Sequence, residues 1–496
     1  MVNNEERLHT LPDPIRNIFR QLERDSIDRI CTRIKKIGRL SASDTHALAA
    51  LANTSDDVNA IKRDIANTLS LSEQEVQKLY YSTTKADYDA NKEIFDKLGV
   101  PWVPFDENPQ MLELVQTISS VTASSFVNIA STTGFVGDVS GAKRVPDAWK
   151  PLAKYYQDTV DYAILQVRTG VDDYNSVMRQ TVRKLSDYGL SAVEYDNESK
   201  QYYRRRVDSS VRNALSGGLQ RLSKAQAELV GAQIGADGME ISVHRGARPS
   251  HMLFQGLQFP MAQFTREIAP QLEEYNCYHR AFPVVLGVST PAHSKGELAE
   301  FNARDRRLRA FEGRPYTTSE AAQKQRQLET AIRRQKDRAA AFGAAGDSVE
   351  ESIALARAAA LSQKYRQFSA TMGLETENVR ITAANFTRSQ AARMGAITRN
   401  RNAIANLTGM TAVNGITIIP STHIADQAVL RGVGASAMQD ALTNPLNIGK
   451  IKVDSIGRPS QNFIGRGATV SVNPESGALV TVWQTGSRIL KKYGGD

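Results

Sequence analysis

The sequence predicts a multidomain protein that is mainly α-helical, with an α+β core and a small C-terminal α+β domain of two helices plus an antiparallel sheet. Three observations indicate this class. The chain has 496 residues, which is too long for one compact core at about 100–200 residues per domain. Apolar residues make up 41% and charged residues 23%, a balance typical of a folded chain. Helical periodicity dominates most of the chain, whereas alternating β-type residues dominate its end.

Residues 1–145 are predicted to form a bundle of helices. Ser72 stands three residues before Glu75, which is the spacing of a capping box and predicts a helix start. The stretch Thr132–Asp147 holds three glycines and a proline, so it predicts a loop at the end of this region. Apolar side chains recur at three- and four-residue steps along the first helix, at Ile15, Ile18, Phe19, Leu22, Ile27, Ile30, Ile34 and Ile37.

Residues 146–345 are predicted to form the α+β core domain. The helical stretches DAWKPLAKYYQDTVDYAILQVRTG and DDYNSVMRQTVRKLSDYG each end at a glycine. The segment LSAVEYDNESKQYY breaks the helical period and predicts a hairpin that turns near Asp196 and Asn197. A helix over about residues 204–234 then leads into the short strand MEISVH. Residues 346–408 are rich in strong helix formers and predict a helical arm or linker.

Residues 409–496 are predicted to form the C-terminal domain. HIADQAVLRGVGASAMQDALTNP predicts two short helices, after which Val470 and Val472 alternate with polar neighbours. NPESG has the composition of a turn, and ALVTVW follows it as the partner strand. Two helices followed by an antiparallel sheet indicate an independent α+β domain.

Composition also bears on compartment and partners. Cys31 and Cys277 lie far apart, so no disulfide framework is expected, and a reducing compartment fits. No stretch approaches about 18 uninterrupted apolar residues, and we expect no signal peptide and no membrane anchor. The net charge is +9, and between Phe301 and Ala345 eleven basic residues face five acidic ones. Such a segment suits nucleic acid or an acidic protein surface, although a solvated helix face with ion pairs is the alternative.

Four side chains have the types that bind zinc. His244, His251, Cys277 and His279 form the pattern H-x6-H-x25-C-x-H. Neutral imidazole and thiolate are ligands that Zn²⁺ prefers, so these residues predict a structural zinc site in the core domain. The spacing does not match a common zinc finger. The alternative is that the histidines hydrogen-bond to backbone groups around a Gly-Pro turn and that Cys277 is a small buried hydrophobe.

Several blocks of the core domain resemble the minor capsid protein 2 family of tailed bacteriophages, which is related in organisation to the Mu F-like head morphogenesis proteins. They are YQDTVDYAILQVRTGVDDYNSVMRQTVRKLSDYG, VHRGARPSHMLFQG, NCYHRAFPVV and YTTSEAAQKQRQLETAIRRQKDRAAA. The resemblance implies a protein inside the virion head, bound near the portal protein and capsid or scaffold components, and in contact with packaged DNA. It also implies residence in the host cytoplasm during assembly and after injection.

The end of the chain carries a second resemblance. STHIADQAVLRGV, GRPSQNFIG, NPESG and ALVTVWQTGS are similar to BECR-fold ribonuclease toxins of polymorphic toxin systems. The resemblance implies RNA as substrate and cleavage without a cofactor. An imidazole can both take up and release a proton, which suits His423 as base or acid. Arg458 and Arg431 are the expected phosphate clamp, since guanidinium grips phosphate with two bonds. Ser460, Thr485 and Ser487 are expected to position the phosphate.

The leading hypothesis is therefore a phage minor capsid protein that carries a C-terminal, metal-independent endoribonuclease. The alternative is a purely structural head or portal connector that contacts packaged DNA and has an inactive C-terminal domain. A DNA-binding protein is a third possibility, and it predicts binding that weakens steeply as salt rises.

Overall fold

The structure is a computed structural model, and its helices and strands are given below for the residues it describes. The predicted turn at Asn197 and most of the predicted helix DDYNSVMRQTVRKLSDYG lie outside those residues. The described residues are 11–37, 39–40, 43–136, 149–169, 178–183, 185, 189–196, 201–272, 277 and 279–494.

The predicted fold class is confirmed. Helices dominate the described residues, and several small antiparallel sheets accompany them. The chain divides into two compact units, one of Met1–Arg326 with Ser369–Arg380 and one of Gln327–Phe368 with Ile381–Asp496. The predicted domain boundaries near residues 145, 345 and 408 stay predictions.

The first unit begins with helices that pack on one another. In chain order its helices are α1 (Asp13–Ile37), α2 (Thr45–Ala52), α3 (Ser55–Asp89), α4 (Lys92–Leu98), α5 (Pro109–Ser131), α6 (Leu152–Thr169) and α7 (Val207–Ile234). Helix α7 contacts α1, α3 and α5, and α3 also contacts α1 and α5. Between them the buried Tyr80 hydroxyl reaches Thr122 Oγ1 at 3.1 Å and donates to the Leu215 carbonyl at 3.0 Å.

Two local predictions for this region were wrong. Ser72 does not begin a helix but lies inside the 35-residue helix α3, where its hydroxyl donates to the Thr68 carbonyl at 2.6 Å. No proline or glycine interrupts that helix, so the Ser72 hydroxyl bonds to a backbone carbonyl of the preceding turn and does not cap a helix start. The predicted loop Thr132–Asp147 begins instead with strand β1 (Thr133–Val136), because this segment pairs with neighbours on both sides. Residues 137–147 of that loop lie outside the described chain.

The described residues of the first unit form three antiparallel sheets. Strands β1, β2 (Trp149–Pro151), β3 (Ser191–Asp196) and β4 (Gln201–Arg206) form a sheet of order β2-β1-β3-β4. Strands β5 (Gly238–Ile241), β6 (Gln258–Pro260) and β7 (Ala281–Val284) form a sheet of order β6-β5-β7. Strands β8 (Arg309–Phe311) and β9 (Arg314–Tyr316) form a hairpin. The short helices α8 (Met261–Gln263), α9 (Ala269–Leu272) and α10 (Lys295–Arg306) lie between these strands in the chain.

Five helices and a sheet follow, and a short helix comes after the sheet. Helices α11 (Thr318–Ala345) and α12 (Ser348–Met372) contribute residues to both units, and α13 (Arg388–Ala405) belongs to the second. Next come α14 (Thr422–Leu430), α15 (Ala435–Thr443) and the strands β10 (Asn447–Ile448), β11 (Lys452–Val453), β12 (Pro459–Ile464), β13 (Thr469–Val472) and β14 (Leu479–Trp483). The last helix is α16 (Ser487–Tyr493).

The two predicted C-terminal helices lie on the predicted antiparallel sheet. The sheet order is β10-β12-β13-β14, with β11 paired to β12; α14 contacts β14, and α15 contacts β12 and β13. Phe463, Val470, Val472 and Val482 are fully buried between these layers. Each contributes about 1.5–3 kcal/mol relative to exposure. The same core includes Ile404 and Leu407, which precede residue 409 in the chain.

Candidate functional site

The predicted zinc ligands lie at one end of the β5-β7 pair. Antiparallel pairing aligns Ile241 with Ala281, so the loop after β5 faces the segment before β7. Backbone N–H of Ser242 donates to the Arg280 carbonyl at 2.8 Å and continues the pairing by one residue. This register brings His244 and His251 of the loop toward Cys277 and His279, although 25 residues separate His251 from Cys277 in the sequence.

Three of the four predicted ligands point their donor atoms at one another. The Nδ1 atoms of His251 and His279 are 3.3 Å apart. Cys277 Sγ lies 3.6 Å from His251 Nδ1 and 3.5 Å from His279 Nδ1. In the described part of the chain, these residues form the group of donor atoms close enough to share a metal ion. All three residues are buried.

His244 lies beside this group. Its ring centroid is 4.1 Å from that of His279, and its Nδ1 is 3.1 Å from the Arg245 carbonyl. A carbonyl can only accept, so Nδ1 of His244 carries the proton. Burial lowers the pKa of His244 to about 4 and contributes most to lowering that of His279 to about 2. Both imidazoles are therefore neutral at neutral pH, and neutral imidazole is the form that binds metals.

Sequence inspection missed two residues that hold this group in place. Gln255 is 2% exposed, and its Oε1 lies 3.3 Å from His279 Nε2. Because an amide oxygen only accepts, His279 carries its proton on Nε2 and directs the Nδ1 lone pair toward Cys277. The Gln255 amide nitrogen in turn donates to Asn302 Oδ1 at 2.6 Å. Neither residue has a sequence signal that separates it from an ordinary buried amide.

The C-terminal domain holds a second polar group on α14 and β14. His423 and Gln427 lie on successive turns of α14, Arg431 directly follows that helix, and Thr481 lies opposite on β14. Gln427 Nε2 is 2.8 Å from His423 Nε2, and the Thr481 hydroxyl donates to Gln427 Oε1 at 3.1 Å. The Arg431 guanidinium donates to Thr481 Oγ1 at 2.8 Å and to the Val482 carbonyl at 2.7 Å. We call these four residues the polar row.

The polar row has an open histidine and a fixed arginine. His423 is exposed, and its Nε2 accepts from the Gln427 amide, so the lone pair of that nitrogen faces the row. Helix α14 is capped by Ser421, whose side chain accepts from the Ile424 backbone at 3.3 Å and orients the first turn. The position of Gln427 could have been predicted from the sequence, since it lies four residues from both His423 and Arg431, a spacing that places side chains on one helical face. Thr481 has none.

The other four predicted catalytic residues lie elsewhere. Arg458 is 71% exposed and pairs with Asp454 at 2.8 Å in the β11-β12 turn, where its backbone N–H and guanidinium lower the pKa of that aspartate. Ser460 lies opposite Lys452, Thr485 Oγ1 lies 2.9 Å from Thr469 Oγ1, and Ser487 is the first residue of α16. Within the described chain, no hydrogen bond links these four residues to the polar row.

Comparison with known proteins identifies the larger part of the chain. A family model described as phage minor capsid protein 2 matches residues 4–370. The matched range includes the N-terminal helices and the histidine and cysteine group, and it ends before the polar row. Neither the curated proteins nor the solved structures gave a match. Among the described helices, none is long and apolar enough to cross a membrane.

Proposed function

Because the chain belongs to the phage minor capsid protein 2 family, we propose that it is a head protein of the virion whose C-terminal domain cleaves RNA. The family supports a place in the virion and partners among the capsid and portal proteins. Residence in the host cytoplasm during assembly, and after injection with the DNA, is part of the proposal.

Contact with packaged DNA is supported by the β8-β9 hairpin. Arg306 and Arg307 precede it, Arg314 lies on its second strand, and all three are exposed. The Arg314 guanidinium lies over the Tyr316 ring, 5.1 Å from its centroid. Arginines in such a position can pair with phosphates, and the affinity then falls steeply with salt.

The polar row is the observation that carries the proposal of RNA cleavage. It joins a base and a cation on the surface of a domain with its own hydrophobic core. In the proposed step, His423 Nε2 takes the proton of a ribose 2′-hydroxyl after the substrate displaces the Gln427 amide. The 2′-oxygen bonds to the adjacent phosphorus, and the bond from phosphorus to the 5′-oxygen breaks. The 5′-oxygen takes a proton from water, which leaves a 2′,3′-cyclic phosphate and a 5′-hydroxyl.

Arg431 supplies the positive charge for this step. Its guanidinium is fixed by Thr481 and Val482, so it needs little reorganisation when charge builds up on the phosphorane oxygens. No cofactor takes part in the proposed step. Ser460, Thr485, Ser487 and Arg458 stay as proposed phosphate-positioning residues, and they have no part in the bond-breaking step.

Cleavage of RNA by purified full-length protein tests the proposal. We expect wild type to cleave a single-stranded RNA and His423→Ala to lose about 100-fold or more of the rate, the usual contribution of a general base. His293→Ala is the matched control, because His293 is also exposed and lies outside the C-terminal domain. Equal rates for wild type and His423→Ala would remove the nuclease from the proposal.

The second candidate is a purely structural connector with an inactive C-terminal domain. It is favoured by one observation, namely that four of the six predicted catalytic residues make no hydrogen bond to the polar row within the described chain. It predicts salt-dependent DNA binding by the full chain with no RNA cleavage above a buffer control.

A further inference from the structure

The histidine and cysteine group of the first unit has no part in RNA cleavage or in the proposed DNA contact. It is nevertheless the most concentrated set of buried metal-binding side chains among the described residues. The distances among its three donor atoms can be compared with those that a bound metal would impose.

A tetrahedral zinc ion fixes the separations between its ligands. With Zn–N bonds of about 2.0–2.1 Å and Zn–S bonds of about 2.3 Å, two nitrogen ligands lie about 3.3–3.4 Å apart, and a nitrogen and a sulfur about 3.5–3.6 Å. The observed distances are 3.3 Å between the two Nδ1 atoms and 3.5 and 3.6 Å from these atoms to Cys277 Sγ. All three edges match one face of a zinc tetrahedron.

Hydrogen bonds alone explain this face less well. The Nδ1 atoms of His251 and His279 face each other and both face Cys277 Sγ, so three donor atoms converge. The His279 proton is held on Nε2 by Gln255, so its Nδ1 presents only a lone pair to the group. A cation satisfies that lone pair together with the two other donor atoms.

Gln255 fits the role of a second partner to a metal-bound histidine. Metal-ligating histidines donate their other ring N–H to an oxygen, which fixes both the tautomer and the ring orientation. His279 donates this bond to Gln255 Oε1 at 3.3 Å, and the Gln255 amide nitrogen donates in turn to Asn302 Oδ1 at 2.6 Å. The hydrogen-bond partner expected of a metal-bound histidine is therefore present in addition to the three donor atoms.

We propose that Cys277 Sγ, His251 Nδ1 and His279 Nδ1 bind one zinc ion, which ties the loop after β5 to the segment before β7. One thiolate with two imidazoles selects a borderline metal such as zinc over magnesium or calcium. Binding displaces the thiol proton of Cys277 to solvent, and the thiolate offsets one of the two positive charges of the ion. His244 packs beside the ligands and is not one of the three.

The test is metal analysis of the purified full-length protein after exposure to zinc and dialysis. We expect about one zinc per chain in wild type and a loss of zinc in Cys277→Ser. Cys31→Ala is the matched control, since Cys31 is the other cysteine, lies buried in α1, and should leave the zinc content unchanged.

Cobalt replaces zinc in a second measurement, in which the spectrum of folded wild type decides by itself whether a thiolate binds the metal. A thiolate-to-cobalt charge-transfer band in wild type, present in Cys31→Ala and lost in Cys277→Ser, supports the assignment. Folded wild type without zinc and without that band overturns it, as does full zinc content in Cys277→Ser.

Discussion

Replacing Gly477 with alanine should unfold the C-terminal sheet locally. Gly477 closes the NPESG turn between β13 and β14 at φ +71°, a left-handed conformation that costs a non-glycine residue about 1–2 kcal/mol. An added Cβ would overlap the Thr417 carbonyl oxygen and lie 3.0 Å from its carbonyl carbon. Both atoms belong to the backbone, so the segment around Thr417 must move.

The movement breaks bonds whose energies can be added. Ile419 N–H donates to the Gly477 carbonyl at 2.9 Å, and Leu479 N–H donates to the Ile419 carbonyl at 3.2 Å. At about 0.5–1.5 kcal/mol each, their loss brings the total to about 2–5 kcal/mol with the backbone cost. Gly457 has φ +82° and open space around its added Cβ, so Gly457→Ala should cost only the backbone term of about 1–2 kcal/mol.

Amide hydrogen exchange measures this difference locally, which suits a chain of two units. We expect peptides of β13 and β14 to exchange about 30-fold faster or more in Gly477→Ala, since each 1.4 kcal/mol is about tenfold. Equal exchange in Gly477→Ala and Gly457→Ala would refute the predicted backbone overlap.

Three further outcomes are expected. Thr481→Val removes the hydroxyl between Arg431 and Gln427, so the initial rate of RNA cleavage should fall at least about tenfold, and an unchanged rate contradicts the role of the polar row. Replacing Arg306, Arg307 and Arg314 with alanine should flatten the slope of log affinity for DNA against log salt by about 2–3, as measured by titration, and an unchanged slope excludes the hairpin as a phosphate contact. Burial raises the pKa of Cys31 from 9.0 to about 12, so the folded thiol keeps its proton. Its contribution to the stability of the folded state is complete below about pH 9 and is lost as pH rises toward 12. Mass spectrometry should therefore find Cys31 unalkylated in native protein at about pH 9. Alkylation at the rate of a free peptide thiol would contradict that burial.

Hydrophobic periodicity and turn composition were sufficient to predict the helical class and the C-terminal strands. Ile15, Phe19 and Ile34 are buried in α1 as their spacing predicts, and NPESG forms the turn between β13 and β14. These features depend on residues close together in the chain, which is why a local pattern predicts them.

Local patterns failed where distant residues decide the structure. Thr133–Val136 is a strand only because β2 and β3 lie on either side of it, and no local signal reports that pairing. Ser72 has the composition of a helix cap, yet its position inside α3 depends on the continuous helix around it. A short motif therefore predicts a helix end only where the flanking sequence stops favouring helix.

The candidate sites show the same limit. The ligand types of His251, Cys277 and His279 were evident from the sequence, but their convergence depends on the register of β5 with β7. The partners Gln255 and Thr481 were not predictable, because each acts through a contact formed only in the fold. Arg458 was predicted to grip phosphate because it is an arginine, whereas in the fold its guanidinium pairs with Asp454.

The measurement closest to the proposed function compares two RNA oligonucleotides of identical sequence, one with free 2′-hydroxyls and one with 2′-O-methyl groups. If His423 activates the 2′-hydroxyl, purified full-length protein should cleave only the first and leave 2′,3′-cyclic phosphate ends. Cleavage of both oligonucleotides, or of neither, would contradict RNA cleavage by the polar row.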